Sequence, residues 1–242
     1  MAGTDAGGSL RFGDGTAGLD VMESAPRYNT AIEDDIVRAI GLPAATKRVL
    51  DIGAGKGEFS RRLRDRGYAV TCVEVSPDHV AELRAGGFEV HASIEDVPSG
   101  AAFDAAILVN VLEHIEQDAT ALRAIAEQLR PGGRLFVWVP AFEVLYSDHD
   151  YGLGHFRRYR RETLERVVRI AGFRIVDSGY RDSLGWAAAL AWRLRPRRGE
   201  ATEPSASSVA LYDRLLFPVS SAVDRVAHPV IGKNVIVTAE RP

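Results

Sequence analysis

The stretch VLDIGAGKGEFS, residues 49–60, runs from an apolar segment into a turn with glycine at 53, 55 and 57, then into a helical pattern opening at Glu58. Strand, glycine turn, helix is the layout of a Rossmann-type nucleotide site. Glycine adopts positive φ without a Cβ clash and lets a ligand approach the backbone closely. The following helix start points unsatisfied N–H groups at whatever sits there. The spacing is G-x-G-x-G, and Glu58 stands where the dinucleotide pattern G-x-G-x-x-G has its third glycine. Asp51 precedes the first glycine. A carboxylate there repels a pyrophosphate and attracts a cationic ligand.

Outward from this turn the chain alternates strand and helix. Residues 69–75 read as a second strand ending at Glu74, an acid placed to take a ribose diol in two hydrogen bonds. Ser76-Pro77 reads as the N-cap and first residue of a helix that stops near Gly86-Gly87. Residues 88–92 form a third strand. FDAAILVN, residues 103–110, is the near-continuous apolar run of a buried parallel strand. Residues 134–139, 172–180 and 234–239 complete the set, the first of these after Pro131 and two glycines. Upstream, residues 30–40 read as a helix with Thr30 and Glu33 as a capping box and Gly41 and Pro43 as its stop. Such alternation needs right-handed crossovers and gives a parallel sheet with helices on both faces. Ligands of open α/β sheets bind outside the carboxyl ends of the strands, so the turn 110–115 faces the site.

The D-x-G-x-G-x-G turn at 51–57, Glu74, and the run L-E-H-I-x-x-D at 112–118 with its following helix and Leu129-Arg130-Pro131-Gly132-Gly133 together resemble the class I methyltransferases. These use S-adenosylmethionine (SAM), here on a small molecule. The resemblance covers residues 28–180 and the final strand. It implies a Rossmann-like, doubly wound seven-stranded sheet whose last strand is antiparallel between strands five and six. It implies SAM as cofactor, with Asp51, Gly53, Ala54 and Gly55 at the amino-acid end and Glu74 and Val75 at the ribose. Ser93, Ile94 and Glu95 would surround the adenine, and Asn110, Val111 and His114 would line the site from the fourth strand. Tyr28 is expected before the first helix, closing over the methionine end or serving as a hydrophobic staple.

Residues 181–232 depart from the minimal fold as a helical insertion. An apolar helix at 183–194 carries Trp186 and Trp192, a linker follows at 195–208, and a helical run at 209–227 breaks at Pro218. The apolar helix is too short to span a bilayer. It suits a substrate cover, a homodimer interface, a lipid contact or packing against the sheet. The organisation is then a flexible tail (1–26), the SAM-binding core (27–180), the insertion (181–232) and the final core strand (233–242).

Methyl transfer from a sulfonium is an in-line displacement, so alignment dominates and a base is needed only where the acceptor must lose a proton. The loop after strand five offers His149 and His155 as bases, with Tyr159 beside them. Its G-H-x-x-R-Y run (154–159) loosely resembles quinone-pathway O-methyltransferases. Arg157, Arg158, Arg160 and Arg161 suit bidentate capture of an anionic substrate, or form a solvated helix face. Asp148, His149 and Asp150 have metal-ligand chemistry, but adjacent residues rarely converge on one ion, and no metal is expected.

A net charge of −3 gives no general attraction to nucleic acid. The single cysteine, Cys72, falls in a buried strand and excludes an internal disulfide framework. With no signal-like start and no bilayer-length apolar run, a cytoplasmic enzyme is expected. Two other readings stand beside methyl transfer: a SAM-binding regulatory protein of this fold, and an NAD-type oxidoreductase. The latter lacks both its third glycine and a hydride-transfer dyad.

Overall fold

The computed structural model describes residues 25–43, 47–98, 100, 102–194, 206–228 and 230–242. Residues 1–24 of the expected tail and 195–205 of the linker lie outside these, and Pro26, expected in the tail, opens the first helix. The described chain holds helix α1 (Pro26–Ile40), β1 (Arg48–Ile52), α2 (Glu58–Asp65), β2 (Ala69–Val73), α3 (Pro77–Ala85), β3 (Glu89–His91) and β4 (Phe103–Val109). It continues with α4 (Asp118–Gln128), β5 (Leu129–Pro140), α5 (Asp148–Gly152), α6 (Arg161–Ile170) and β6 (Arg174–Arg181). Last come α7 (Ser183–Arg193), α8 (Ala206–Leu211), α9 (Phe217–Ala227) and β7 (Asn234–Glu240).

The seven strands form one sheet in the order β3-β2-β1-β4-β5-β7-β6. β1 pairs in parallel with β2 and β4, and β7 runs antiparallel to both β5 and β6. The expected Rossmann-like seven-stranded architecture, antiparallel last strand and helical insertion are all present. The chain runs outward from β1 to β3 and then returns to β4 on the other side of β1. In open α/β sheets ligands bind at such a reversal, here the carboxyl ends of β1 and β4.

Alternation along β5 divides the core. Leu135, Val137 and Val139 join Leu122, Ile125, Leu164 and Val168 beneath α4 and α6. Phe136 and Trp138 face the other way, onto Ile32, Ile36 and Ile40 of α1 and Leu63 of α2. Successive strand residues point to opposite faces, so a strand covered on both must be apolar throughout. No described helix is long and apolar enough to cross a membrane.

Three local expectations are corrected. α1 begins at Pro26, not at Thr30, whose hydroxyl donates to the Pro26 carbonyl inside the helix. The cap comes from residue 213 instead: the Asp213 carboxylate accepts the Arg27 and Tyr28 backbone N–H groups at 3.1 and 2.8 Å. Glu33, the other half of the expected capping box, is buried and pairs with Arg62 and Arg66. The helical run is not broken at Pro218. A π-helical turn, Tyr212–Leu216, precedes it, and α9 runs through the proline. Pro218 has no N–H for the Arg214 carbonyl, and Arg27 Nη1 donates to that oxygen at 2.5 Å in its place.

Candidate active site

The turn after β1 is built from left-handed glycines, with φ of 66°, 55° and 81° at Gly53, Gly55 and Gly57. Gly53 and Ala54 donate backbone N–H groups to the Val73 carbonyl at 2.8 and 3.2 Å, which ties the turn to the end of β2. A Cβ on Gly53 would lie 2.6 Å from Val111 Cγ2, so the β1 and β4 turns touch at a point only glycine allows. β2 ends at Val73, leaving Glu74 as the first residue beyond the strand. The buried Glu74 carboxylate accepts the Gly55 N–H at 2.7 Å and the Ser76 N–H at 2.8 Å. The Glu74 N–H donates to the His91 carbonyl at 3.0 Å, joining the ends of β2 and β3. Val75 beside it is exposed.

Asp51 lies beneath this turn, within β1, and accepts the Ser60 hydroxyl at 2.5 Å. Burial lifts its carboxyl to about 7; Glu74 pushes the same way and the Ser60 bond opposes both. Cys72 sits beside Ser60 at 3.2 Å, and burial raises its thiol to about 12. It is a small core residue, not a reactive thiol. After β3, Ser93 is half-buried, Ile94 is buried in the core and Glu95 is exposed. After β4, Asn110 takes a left-handed φ of 54° and donates its N–H to the Trp138 carbonyl at 2.8 Å. Val111 follows against Gly53. These expected residues therefore stand at the adjacent carboxyl ends of β3, β2, β1 and β4.

Tyr28 is inside the first turn of α1, not before it. Its ring packs edge-on against Trp138 and Phe217, and its hydroxyl accepts from Asn234 Nδ2 at 2.5 Å. It joins α1, the insertion and β7.

A second group of side chains gathers where the turn after β4 meets the loop after β5. Leu112–His114 form a 3-10 turn, and the Glu113 carbonyl accepts the Phe156 N–H at 2.8 Å. The Glu113 side chain is fully buried with no hydrogen-bond partner on either oxygen. Burial pushes its carboxyl up to about 8, against the pull of Arg158. His114 stacks edge-on with His155 at 4.5 Å between ring centroids. Burial and the neighbouring His155 push His114 down to about 4, so it is a neutral imidazole. His155 Nδ1 bonds Asp150 Oδ1 at 2.9 Å. Asp150 also accepts from Ser147 and, in bidentate fashion, from Arg158. Burial would raise the Asp150 carboxyl, but the His155 and Arg158 bonds hold it well below the usual carboxylate range.

The other loop candidates do different work. His149 lies exposed on α5. Tyr159 is buried and donates its hydroxyl to Asp118 Oδ2 at 2.9 Å and to the Leu112 carbonyl at 3.3 Å, pinning the loop to the turn after β4. Arg157 pairs with Asp118. Glu113 was missed by sequence reasoning. Its only signal is a carboxylate beside His114 in the turn that leaves a buried strand.

The insertion roofs this region. Trp186 of α7 meets Phe142 at 6.3 Å, Phe142 stacks on Tyr180 at 4.9 Å, and Arg193 donates to the Tyr146 carbonyl.

Comparison with known proteins gives a consistent result. A family model described as a methyltransferase domain matches residues 25–178. An uncharacterized methyltransferase of Mycobacterium tuberculosis is 41% identical over 101 residues, 40% of this chain and 42% of that protein. A ubiquinone biosynthesis O-methyltransferase of Xylella fastidiosa is 36% identical over 105 residues, 40% of this chain and 43% of that one. The matched segment thus spans about two-fifths of these relatives. Among solved structures, geranyl diphosphate C-methyltransferase of Streptomyces coelicolor, crystallised with S-adenosyl-L-homocysteine, superposes with a TM-score of 0.63 at 16% identity, covering 96% of this chain and 91% of that one.

Proposed function

The chain belongs to the methyltransferase-domain family, and from that premise we propose that it transfers a methyl group from SAM to an O, N or C nucleophile of a small molecule, as a biosynthetic step. The observation that carries the reading is the buried Glu74 carboxylate locked onto the Gly55 N–H at the rim of a left-handed glycine turn. An acid so held has a fixed position, and its remaining lone pairs are free for a ribose diol. The same rim disfavours a dinucleotide. Glu58 opens α2 with a carboxylate where a pyrophosphate would sit.

Bound SAM supplies an electrophilic methyl on a positively charged sulfur. In this reading Gly53, Ala54 and Gly55 give the amino-acid end close backbone approach, and Asp51 sets a negative potential beneath it. Glu74 and Val75 border the ribose. Ser93, Ile94 and Glu95 border the adenine, with Glu95 accepting from its amino group. Asn110, Val111 and His114 form the floor. Tyr28 keeps α1 closed over the sheet through Trp138 and Asn234.

His155 is the acceptor-side base: Asp150 fixes its Nδ1, leaving Nε2 for the acceptor proton. Tyr159 holds the loop, and His149 stands at its outer edge. Arg157 and Arg158 are already paired with Asp118 and Asp150, which removes the main support for an anionic acceptor. A homodimer through the insertion is supported by the exposed Leu211, Leu215, Val219 and Val223. The lone cysteine fits a cytoplasmic enzyme.

The test is calorimetric titration with SAM, S-adenosylhomocysteine and NAD, followed by mass detection of an acceptor heavier by one CH2. Saturable SAM binding without NAD binding is expected. NAD binding without SAM binding would remove the assignment. SAM binding without any methylated product across a broad acceptor panel would favour a regulatory role.

A further inference from the structure

Among the described residues, Glu113, His114 and His155 bring one ligand atom each to within 4.8 Å of one another. Their chemistry is unusual for a protein interior. Both Glu113 oxygens and His114 Nδ1 are buried and have no hydrogen-bond partner. Burying a polar group without a partner costs on the order of 1–3 kcal/mol, more for a charged one. Three unpartnered buried polar atoms side by side are costly, and a cation seated among them would offset that cost.

The histidines are also disposed for such a guest. His114 keeps its buried Nδ1 unpaired. His155 spends Nδ1 on the Asp150 carboxylate, which leaves Nε2 as its lone-pair nitrogen. Metal-ligating histidines make this arrangement, with one nitrogen on the ion and the other on a carbonyl or carboxylate that fixes the tautomer. Asp150 is itself held by Arg158 and Ser147, so His155 is braced from behind. Two bonds of about 2.1 Å span at most about 4.2 Å, so closure on an ion requires only a small inward rotation.

We propose that Glu113, His114 and His155 bind a divalent transition-metal ion at the acceptor end of the site. Two imidazoles and one carboxylate suit Zn2+, Fe2+ or Co2+, whereas Mg2+ prefers an oxygen shell. Three protein ligands leave coordination positions for the acceptor. The inference rests on the methyltransferase reading above and changes one part of it: the ion, not His155, activates the acceptor. It also selects the acceptor class as a hydroxyl compound. On coordination the O–H proton passes to water. The oxyanion then forms the O–C bond to the methyl group while the C–S bond breaks. Its electron pair goes to sulfur, and the sulfonium becomes a neutral thioether.

The test uses tag-free full chain stripped with a chelator and titrated with Co2+, read by visible absorption. One equivalent is expected to give a saturable ligand-field band, displaced by Zn2+ and not by Mg2+. The band is expected to vanish in Glu113→Gln, His114→Ala and His155→Ala. Circular dichroism and SAM affinity are measured on each variant, and the wild-type titration stands by itself where a variant fails to fold. No saturable band in the wild type, or a band that survives in all three variants, overturns the metal site. SAM affinity of the metal-free wild type is a separate arm: its absence overturns the methyltransferase reading, while its presence without a Co2+ band overturns the metal alone.

Discussion

At the scale of single residues, two buried carboxylates carry opposite duties. Glu74 is satisfied, with two backbone donors, and belongs to the rim. Replacing it by alanine removes a charge-assisted acceptor worth about 1.5–3 kcal/mol, so SAM affinity by calorimetry should fall about 10- to 100-fold. Undiminished affinity would show that the ribose lies elsewhere. Asp51 is buried beneath the turn with its carboxyl lifted to about 7. In the unfolded chain it ionises in the usual carboxylate range. Between about pH 4 and pH 7 the folded state therefore holds a proton that the unfolded state lacks, and stability falls as pH rises through that window. Thermal unfolding of the ligand-free protein should show this slope, and Asp51→Asn should flatten it. An unchanged slope would mean that other groups dominate.

At the scale of elements, the starts of α1 and α7 take acceptors from far along the chain, α7 in addition to its own Asp182. Asp213 caps α1 through the Arg27 and Tyr28 N–H groups. Asp224 does the same for α7, accepting from the N–H groups of Asp182 and Ser183 at 2.7 and 2.9 Å. Loss of a cap costs about 0.5–2 kcal/mol. Asp213→Ala should lower the melting temperature and speed amide exchange in the first turn of α1. Thr30→Ala should change stability by less than about 0.5 kcal/mol, because Thr30 is exposed and bonds only within its own helix. The reverse order of effects would restore the local capping box.

At the scale of the whole molecule, the insertion is tied to the sheet rather than hung from it. Gly232 approaches β6 so closely that an added Cβ would meet the Arg181 backbone, and an added Cβ on Gly179 would meet His228. Gly232→Ala should destabilise by about 1–3 kcal/mol through overpacking. The glycine turn is remote from that junction, so SAM affinity measured below the melting transition should hold. A parallel loss of both would mean that the insertion and the glycine turn are mechanically coupled.

The sheet and the glycine turn were legible in the residues because their signals are local. Glycine at 53, 55 and 57 is demanded by backbone angles within one turn, and the run 103–110 is apolar because both faces of β4 are covered. The position of Glu74 after strand two needs only the length of that strand. The cluster of Glu113, His114 and His155 was not legible in the same way. Glu113 and His114 are neighbours in sequence, but His155 reaches them only because the loop after β5 folds back onto the turn after β4, with Phe156 N–H on the Glu113 carbonyl and Tyr159 on Leu112. The cap of α1 failed for the same reason, since residue 213 supplies it across the insertion. Periodicity and turn chemistry report on contacts a few residues apart. Burial of an unpaired carboxylate, the tautomer of a histidine and the partner of a helix end are set by segments far apart in sequence, and exist only once the chain has closed on itself.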